Sequence, residues 1–157
     1  MPDQAVILIA EDKDEDIELL RHAFVRAEIP NPIHVVKDGA ETIAYLQGEG
    51  KYSNRDEYPL PALLLLDLNM PRTDGFEVLM WLRREPGLSN LRVIVLTASS
   101  DMQDINRAYH LGANSFLVKP VDFKNFVEMS KFLRDHWLHS SQEPEASRAP
   151  RIQRIKR

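Results

Sequence analysis

The sequence predicts an α/β fold built on a doubly wound parallel sheet, and three observations lead there. Apolar runs alternate with amphipathic stretches five times, as expected when helices cover a sheet. Four of the runs, residues 6–9, 62–66, 93–96 and 116–118, are short and continuously apolar, which suits strands buried on both faces. Each then ends in a polar group: Glu11 and Asp12, Asp67, Thr97 and Lys119. Ligands of open parallel sheets bind at the carboxyl ends of the strands, so three carboxylates, a hydroxyl and an ammonium would converge on one edge.

The elements follow in order. Residues 5–9 form the first strand, and a helix begins near residue 14 with Ile17, Leu20, Phe24 and Ala27 on one face. It stops before Pro30 and Pro32, which cannot continue it. Residues 33–36 are a short strand with His34 between apolar neighbours, which places it at an edge. The turn Lys37-Asp38-Gly39 leads into a helix over 40–47, followed by a strand over 62–66, a helix over 74–84 and a strand over 92–96. Asp101 suits the N-cap of the fourth helix and Gly112 its C-terminal stop; the fifth strand is 114–118.

The last helix spans about 122–139, with a core stripe of Phe123, Phe126, Val127, Ser130, Leu133 and Trp137. Met129, Phe132 and His136 fall on a different face and are candidates for a partner or dimer contact. Residues 48–61 exceed the usual connection of about 2–6 residues, and Tyr52 and Tyr58 mark them as a packed surface loop. One folded domain is expected over residues 1–139, with a polar, then basic, disordered tail over 140–157.

Composition narrows the function classes. The 157 residues, 43% hydrophobic and 28% charged, suit one globular domain. The absence of cysteine excludes disulfides, thiolate metal sites and cysteine nucleophiles. The N-terminal residues lack a basic leader region, and no apolar run approaches the roughly 18 residues that span a bilayer; a cytoplasmic protein with no membrane partner is the expectation. The net charge of −4 conceals an acidic N-terminal region and a basic C-terminus with no acid after Glu145. Such a charge run is ordinarily a solvated tail, and nucleic acid is not expected as a partner.

Glu11, Asp12 and Asp67 are hard oxygen ligands suited to Mg²⁺. Crowded together they would raise each other's pKa unless a cation compensates. An ionised Asp67 can attack a phosphoryl group to give an acyl phosphate. Thr97 and Lys119 supply a hydroxyl and a point charge for phosphate oxygens, and Ala98 leaves room for the transferred group. Asp67-Leu68-Asn69-Met70-Pro71 leads through a proline-stiffened turn to Asp74-Gly75, and Lys119-Pro120 is a candidate cis peptide.

On these residues the chain resembles the receiver domain of two-component response regulators, from about Gln4 to His139. The motifs are the pair Glu11-Asp12, the segment from Asp67 to Gly75, Thr97-Ala98, and Phe116 three residues before Lys119-Pro120. The resemblance implies a CheY-like, flavodoxin-like three-layer sandwich with strand order 2-1-3-4-5 and Asp67 as phosphoacceptor. It also implies Mg²⁺ held by Glu11, Asp12, Asp67 and the backbone carbonyl of Asn69, and a switch that pairs Thr97 with Phe116, whose ring turns inward. A histidine kinase is the implied phosphodonor, and the long 48–61 loop and Trp137 helix look like the small regulators that partner phytochrome-type kinases. Glu11 departs from the Asp that many receivers have there.

A receiver with no output domain would act by docking on a downstream protein, by passing its phosphoryl group to a phosphotransfer protein, or by dimerising. It would catalyse its own phosphorylation and dephosphorylation and need no separate substrate. The competing enzyme reading is a Mg²⁺-dependent aspartyl phosphatase or phosphotransferase. Such enzymes want a general acid two residues after the nucleophile, where this chain has Asn69. A flavodoxin-type cofactor binder would want a glycine-rich phosphate loop, and DNA binding would rest on the tail alone, with no helix-turn-helix.

Overall fold

The computed structural model describes residues 5–138. Five parallel strands, β1 (Ile7–Ala10), β2 (Ile33–Val36), β3 (Leu63–Leu66), β4 (Arg92–Thr97) and β5 (Ser115–Val118), lie in the order 2-1-3-4-5. The helices between and after them are α1 (Asp14–Arg26), α2 (Gly39–Gln47), α3 (Gly75–Arg83), α4 (Met102–His110) and α5 (Phe123–Leu133). The doubly wound three-layer sandwich is therefore as expected, with β2 at one edge and β5 at the other. Residues 139–157, which include the expected tail, and residues 1–4 lie outside the described residues.

Strand alternation sorts the apolar side chains onto two faces. Leu8, Ala10, Leu64, Leu66, Val93 and Val95 join Tyr45, Leu79 and Phe116 in the core under α2, α3 and α4. Ile7, Ile9, Leu63, Leu65, Ile94 and Leu96 join Leu20, Phe24, Phe126 and Leu133 under α1 and α5. Both faces are buried, which is why the central strands read as continuous apolar runs rather than alternating ones.

The caps set the helix starts. Asp38, Asp74, Asp101 and Asp122 each accept a backbone N–H of the first turn they precede, and Glu77 completes a capping box at α3 by accepting from the Asp74 amide at 3.0 Å. α1 has no side-chain cap, but Asp14, Glu15 and Asp16 fill its first turn, where the helix dipole favours anions. Gly112 follows α4 at φ 104°, the left-handed stop its position suggested.

The 48–61 connection is packed. It opens with a 3₁₀ turn, Gly50–Ser53; Tyr58 packs edge-on against Tyr52, Tyr45 and the edge-strand His34, and Tyr52 lies tilted on Tyr45. Arg55 donates to the carbonyls of Tyr45, Leu46 and Tyr58 at 2.9–3.0 Å, closing the end of α2. The Tyr45 hydroxyl donates to Pro59 O at 2.9 Å, so the His34 Nδ1 at 2.9 Å must be the donor to it.

Two expectations are corrected. The Lys119–Pro120 bond is trans, as no cis peptide occurs among the described residues; trans is the lower-energy form by about 0.5–1 kcal/mol even before proline. Met129 is half-buried against the α1–α5 core. It follows Phe126 by three positions, about 60° around the helix, and so flanks the stripe. Phe132 is also half-buried and stacks on the exposed His136, ring centroids 4.2 Å apart. Past Leu133 the helix loosens into a π-helical turn, Arg134–Leu138, where Trp137 still packs on the core.

Burial in the tyrosine cluster holds the His34 pKa below its ordinary value, opposed by the charge of Glu57. The unfolded chain then binds the His34 proton more readily than the folded one. Stability should fall as pH drops below about 6.5, the unperturbed value. Urea unfolding at pH 5.5 and 7.5 should show a smaller pH-dependent loss in His34→Gln than in the wild type; equal losses would exclude His34 as the source.

Candidate functional site

The parallel ladder runs one step past the strand ends and so fixes the site. Glu11 N donates to Val36 O at 2.9 Å, Asp67 N to Ala10 O at 3.1 Å, and Lys119 N to Thr97 O at 2.8 Å. With Ala10 opposite Leu66, Leu66 opposite Val95 and Thr97 opposite Val118, the polar residues after four apolar runs emerge along one edge.

Glu11, Asp12 and Asp67 each offer a carboxylate oxygen, and the three lie within 4.8 Å of one another. Asp67 is only 3% exposed. Its Oδ1 accepts from the Asn69 amide at 3.2 Å and its Oδ2 from Lys119 Nζ at 3.2 Å. Glu11 Oε2 accepts from the Lys13 amide at 3.0 Å, and its Oε1 lies 2.7 Å from Lys119 Nζ. Asp12 Oδ1 is buried with no hydrogen-bond partner among the described residues. A buried carboxylate oxygen left bare is costly, and two more acids beside it make a hard-oxygen set that fits a divalent cation.

Lys119 is the counter-charge. Its ammonium, on a side chain 9% exposed, touches Glu11 at 2.7 Å, Asp16 at 2.8 Å and Asp67 at 3.2 Å. Burial alone would lower its pKa; the hydrogen bonds to Asp16 and Glu11 and the charge of Asp67 override this and raise it, so Lys119 stays protonated. For Glu11 burial dominates the other way. It lifts the carboxyl above its ordinary range, with Asp67 adding repulsion against the hydrogen bonds from Lys119 and Lys13.

Thr97 is fully buried and its Oγ1 has no hydrogen-bond partner among the described residues. Phe116 is buried in the core beneath α2–α4, so its ring lies inward, and Ala98 is exposed at the mouth of the edge. Asn69 is exposed beside the carboxylates. The edge thus gathers every predicted chemical residue from Glu11 to Lys119, whereas Met129, Phe132 and His136 sit on α5 and the turn that follows it. Sequence reasoning missed Asp16. Its only signal was its place one helical turn after Asp12, at the start of α1.

The loop after β3 is held by close packing. A Cβ on Gly75 would lie 2.6 Å from the Asp67 carbonyl oxygen and 2.8 Å from Leu68 Cα. Arg72, at φ 66°, forms an ion pair with Asp38, the cap of α2.

A doubly wound parallel sheet whose carboxyl edge holds an acid trio, a bridging lysine and a buried hydroxyl with no partner among the described residues describes a class of protein suited to a metal ion and a phosphoryl group. Residues 7–131 match the response regulator receiver domain, and the chain belongs to that family. It is 35% identical over 141 residues to the response regulator Rcp1 of Synechocystis, covering 90% of this chain and 94% of that one. Its fold superposes on the Mn²⁺-bound form of Rcp1 with TM-score 0.79 at 34% identity, covering 89% and 99%. The phosphorylated cyanobacterial phytochrome response regulator RcpA gives 0.80 at 34% identity, covering 87% and 96%. RPA3017, a response regulator in red light signaling of R. palustris, gives 0.84 at 38% identity, covering 89% and 98%.

Gly75→Ala is expected to destabilise the protein by about 1–3 kcal/mol, the usual cost of overpacking against an unyielding neighbour, because the atoms met are the backbone of Asp67 and Leu68. Urea denaturation would show this as a lowered midpoint; an unchanged midpoint would mean the loop yields freely.

Proposed function

We propose that the chain accepts a phosphoryl group on Asp67 from a histidine kinase and signals through the change this imposes on its surface. The observation that supports this most is that two of the three buried side-chain atoms without a hydrogen-bond partner among the described residues, Asp12 Oδ1 and Thr97 Oγ1, lie at the edge where Asp67 and Lys119 meet. Buried polar groups are nearly always satisfied, and a metal ion and a phosphoryl group would satisfy these.

Mg²⁺, held by Glu11, Asp12, Asp67 and the Asn69 carbonyl, would supply positive charge against the phosphoryl oxygens. Asp67 attacks phosphorus through a carboxylate oxygen, the P–N bond to the kinase histidine breaks with its electron pair going to the ring nitrogen, and the imidazole leaves neutral because its other ring nitrogen already carries a proton. Lys119 holds the carboxylate oriented and neutralises a phosphoryl oxygen, and the Thr97 hydroxyl donates to another. Thr97 and Phe116, both buried and on adjacent strands, would then carry the change to the surface. Asn69 cannot give a proton to a leaving group, which argues against turnover of a separate substrate.

The phosphodonor in this reading is a phytochrome-type kinase, supported by the similarity to RcpA and RPA3017. Val121, 97% exposed in the connection after β5, and Val118 give apolar surface beside Lys119 for a docking partner. A cytoplasmic setting fits a kinase partner, and no helix among the described residues is long and apolar enough to cross a membrane. Phe132 and His136 remain our docking or dimer contact for a second copy, a downstream target or a phosphotransfer protein.

Incubation with Mg²⁺ and a small acyl phosphate should give a hydroxylamine-labile adduct, absent in Asp67→Asn. Its absence from the wild type, or its persistence in Asp67→Asn, would overturn the reading. Light scattering should show a larger particle after phosphorylation, reduced in Phe132→Ala; one monomeric mass in both states would remove the dimer.

A further inference from the structure

We infer that Asp16 is a positioning residue for Lys119. It gives the ammonium a partner outside the metal-binding acids, so that a divalent cation can take Glu11 and Asp67 without stranding a buried charge. The inference rests on the reading of Glu11, Asp12 and Asp67 as the cation site.

Lys119 contacts three carboxylates at comparable distances, 2.7, 2.8 and 3.2 Å. Two of them, Glu11 and Asp67, belong to the trio whose oxygens converge within 4.8 Å. Asp16 does not. It projects from the first turn of α1 rather than from a strand end, and it is itself half-buried. A cation entering the trio takes carboxylate electron pairs that Lys119 now shares. An ammonium on a side chain 9% exposed cannot turn to bulk water for replacements, and an unpaired buried charge is among the costliest arrangements in a protein. Asp16 Oδ2 offers a hydrogen bond that the metal does not claim. Without Asp16, every carboxylate now touching the ammonium is also a metal ligand, and cation and lysine compete directly.

A mutant cycle separates this from a plain effect of charge. Mg²⁺ titration by calorimetry would compare wild type, Asp16→Asn, Lys119→Met and the double variant, with Asp16→Ser as a second replacement and urea unfolding to verify folding. Asp16→Asn should weaken Mg²⁺ binding about fivefold to tenfold, the scale of one lost charge-assisted hydrogen bond. In the Lys119→Met background the same change should cost less than about twofold. Equal weakening in both backgrounds would overturn the inference, since Asp16 would then act on the metal by its charge alone, and so would no weakening in either Asp16 variant. A wild type without saturable Mg²⁺ binding, or Asp12→Asn binding as tightly as the wild type, would instead overturn the cation-site reading and this inference with it.

Discussion

The ammonium of Lys119 is the point on which the rest of the edge depends. It joins the end of β5 to acids that follow β1 and β3 and to one in α1, with Asp16 103 residues away in the chain and Glu11 further still. Four acids gathered at one end of a sheet repel one another, and two of them, Glu11 and Asp67, are almost wholly buried. Only a buried cation makes that tolerable, and removing one partner from such a network typically costs about 3–5 kcal/mol. The cost of assembly is met by the cores on either side of the sheet, where Ile7, Leu8, Leu64, Leu66 and Ile94 are buried almost completely.

The same register that brings the charges together links them to the interior. Thr97 ends β4 with a buried hydroxyl that has no partner among the described residues, and Phe116 lies on β5 opposite Val95, buried in the core beneath α2–α4. A change in what Thr97 binds therefore acts on a packed core rather than on solvent. Packed interiors transmit displacement because they are nearly incompressible. Around this, Gly75 presses α3 against the Asp67 backbone and Arg72 ties the loop to the cap of α2, so the carboxylate sits on a rigid support.

Much of this was legible in the residues. Apolar runs of three to five residues, each closed by an acid, a threonine or a lysine, marked four of the strands and the contents of the edge. Asp101 and Gly112 marked the ends of α4, because capping is local chemistry between a side chain and its own turn. Long-range partners were not legible in this way. Arg55, which closes α2, and Asp16, which meets Lys119, are residues that the sequence shows as ordinary surface charges. Met129 was misplaced because a helical wheel gives angles but not the width of the groove the helix enters, and here the α1–α5 core reaches one row further.

By itself, then, the sequence determined the element order, the parallel α/β class and which residues line the carboxyl edge, since burial on both faces and capping leave marks within a few residues. Tertiary structure alone decided which acids share Lys119, which oxygens stay unpartnered and how far the α5 face is covered. Those depend on the register between strands and on helix packing across the sheet, where the spacing of atoms far apart in the chain is set by the whole fold rather than by any local stretch of it.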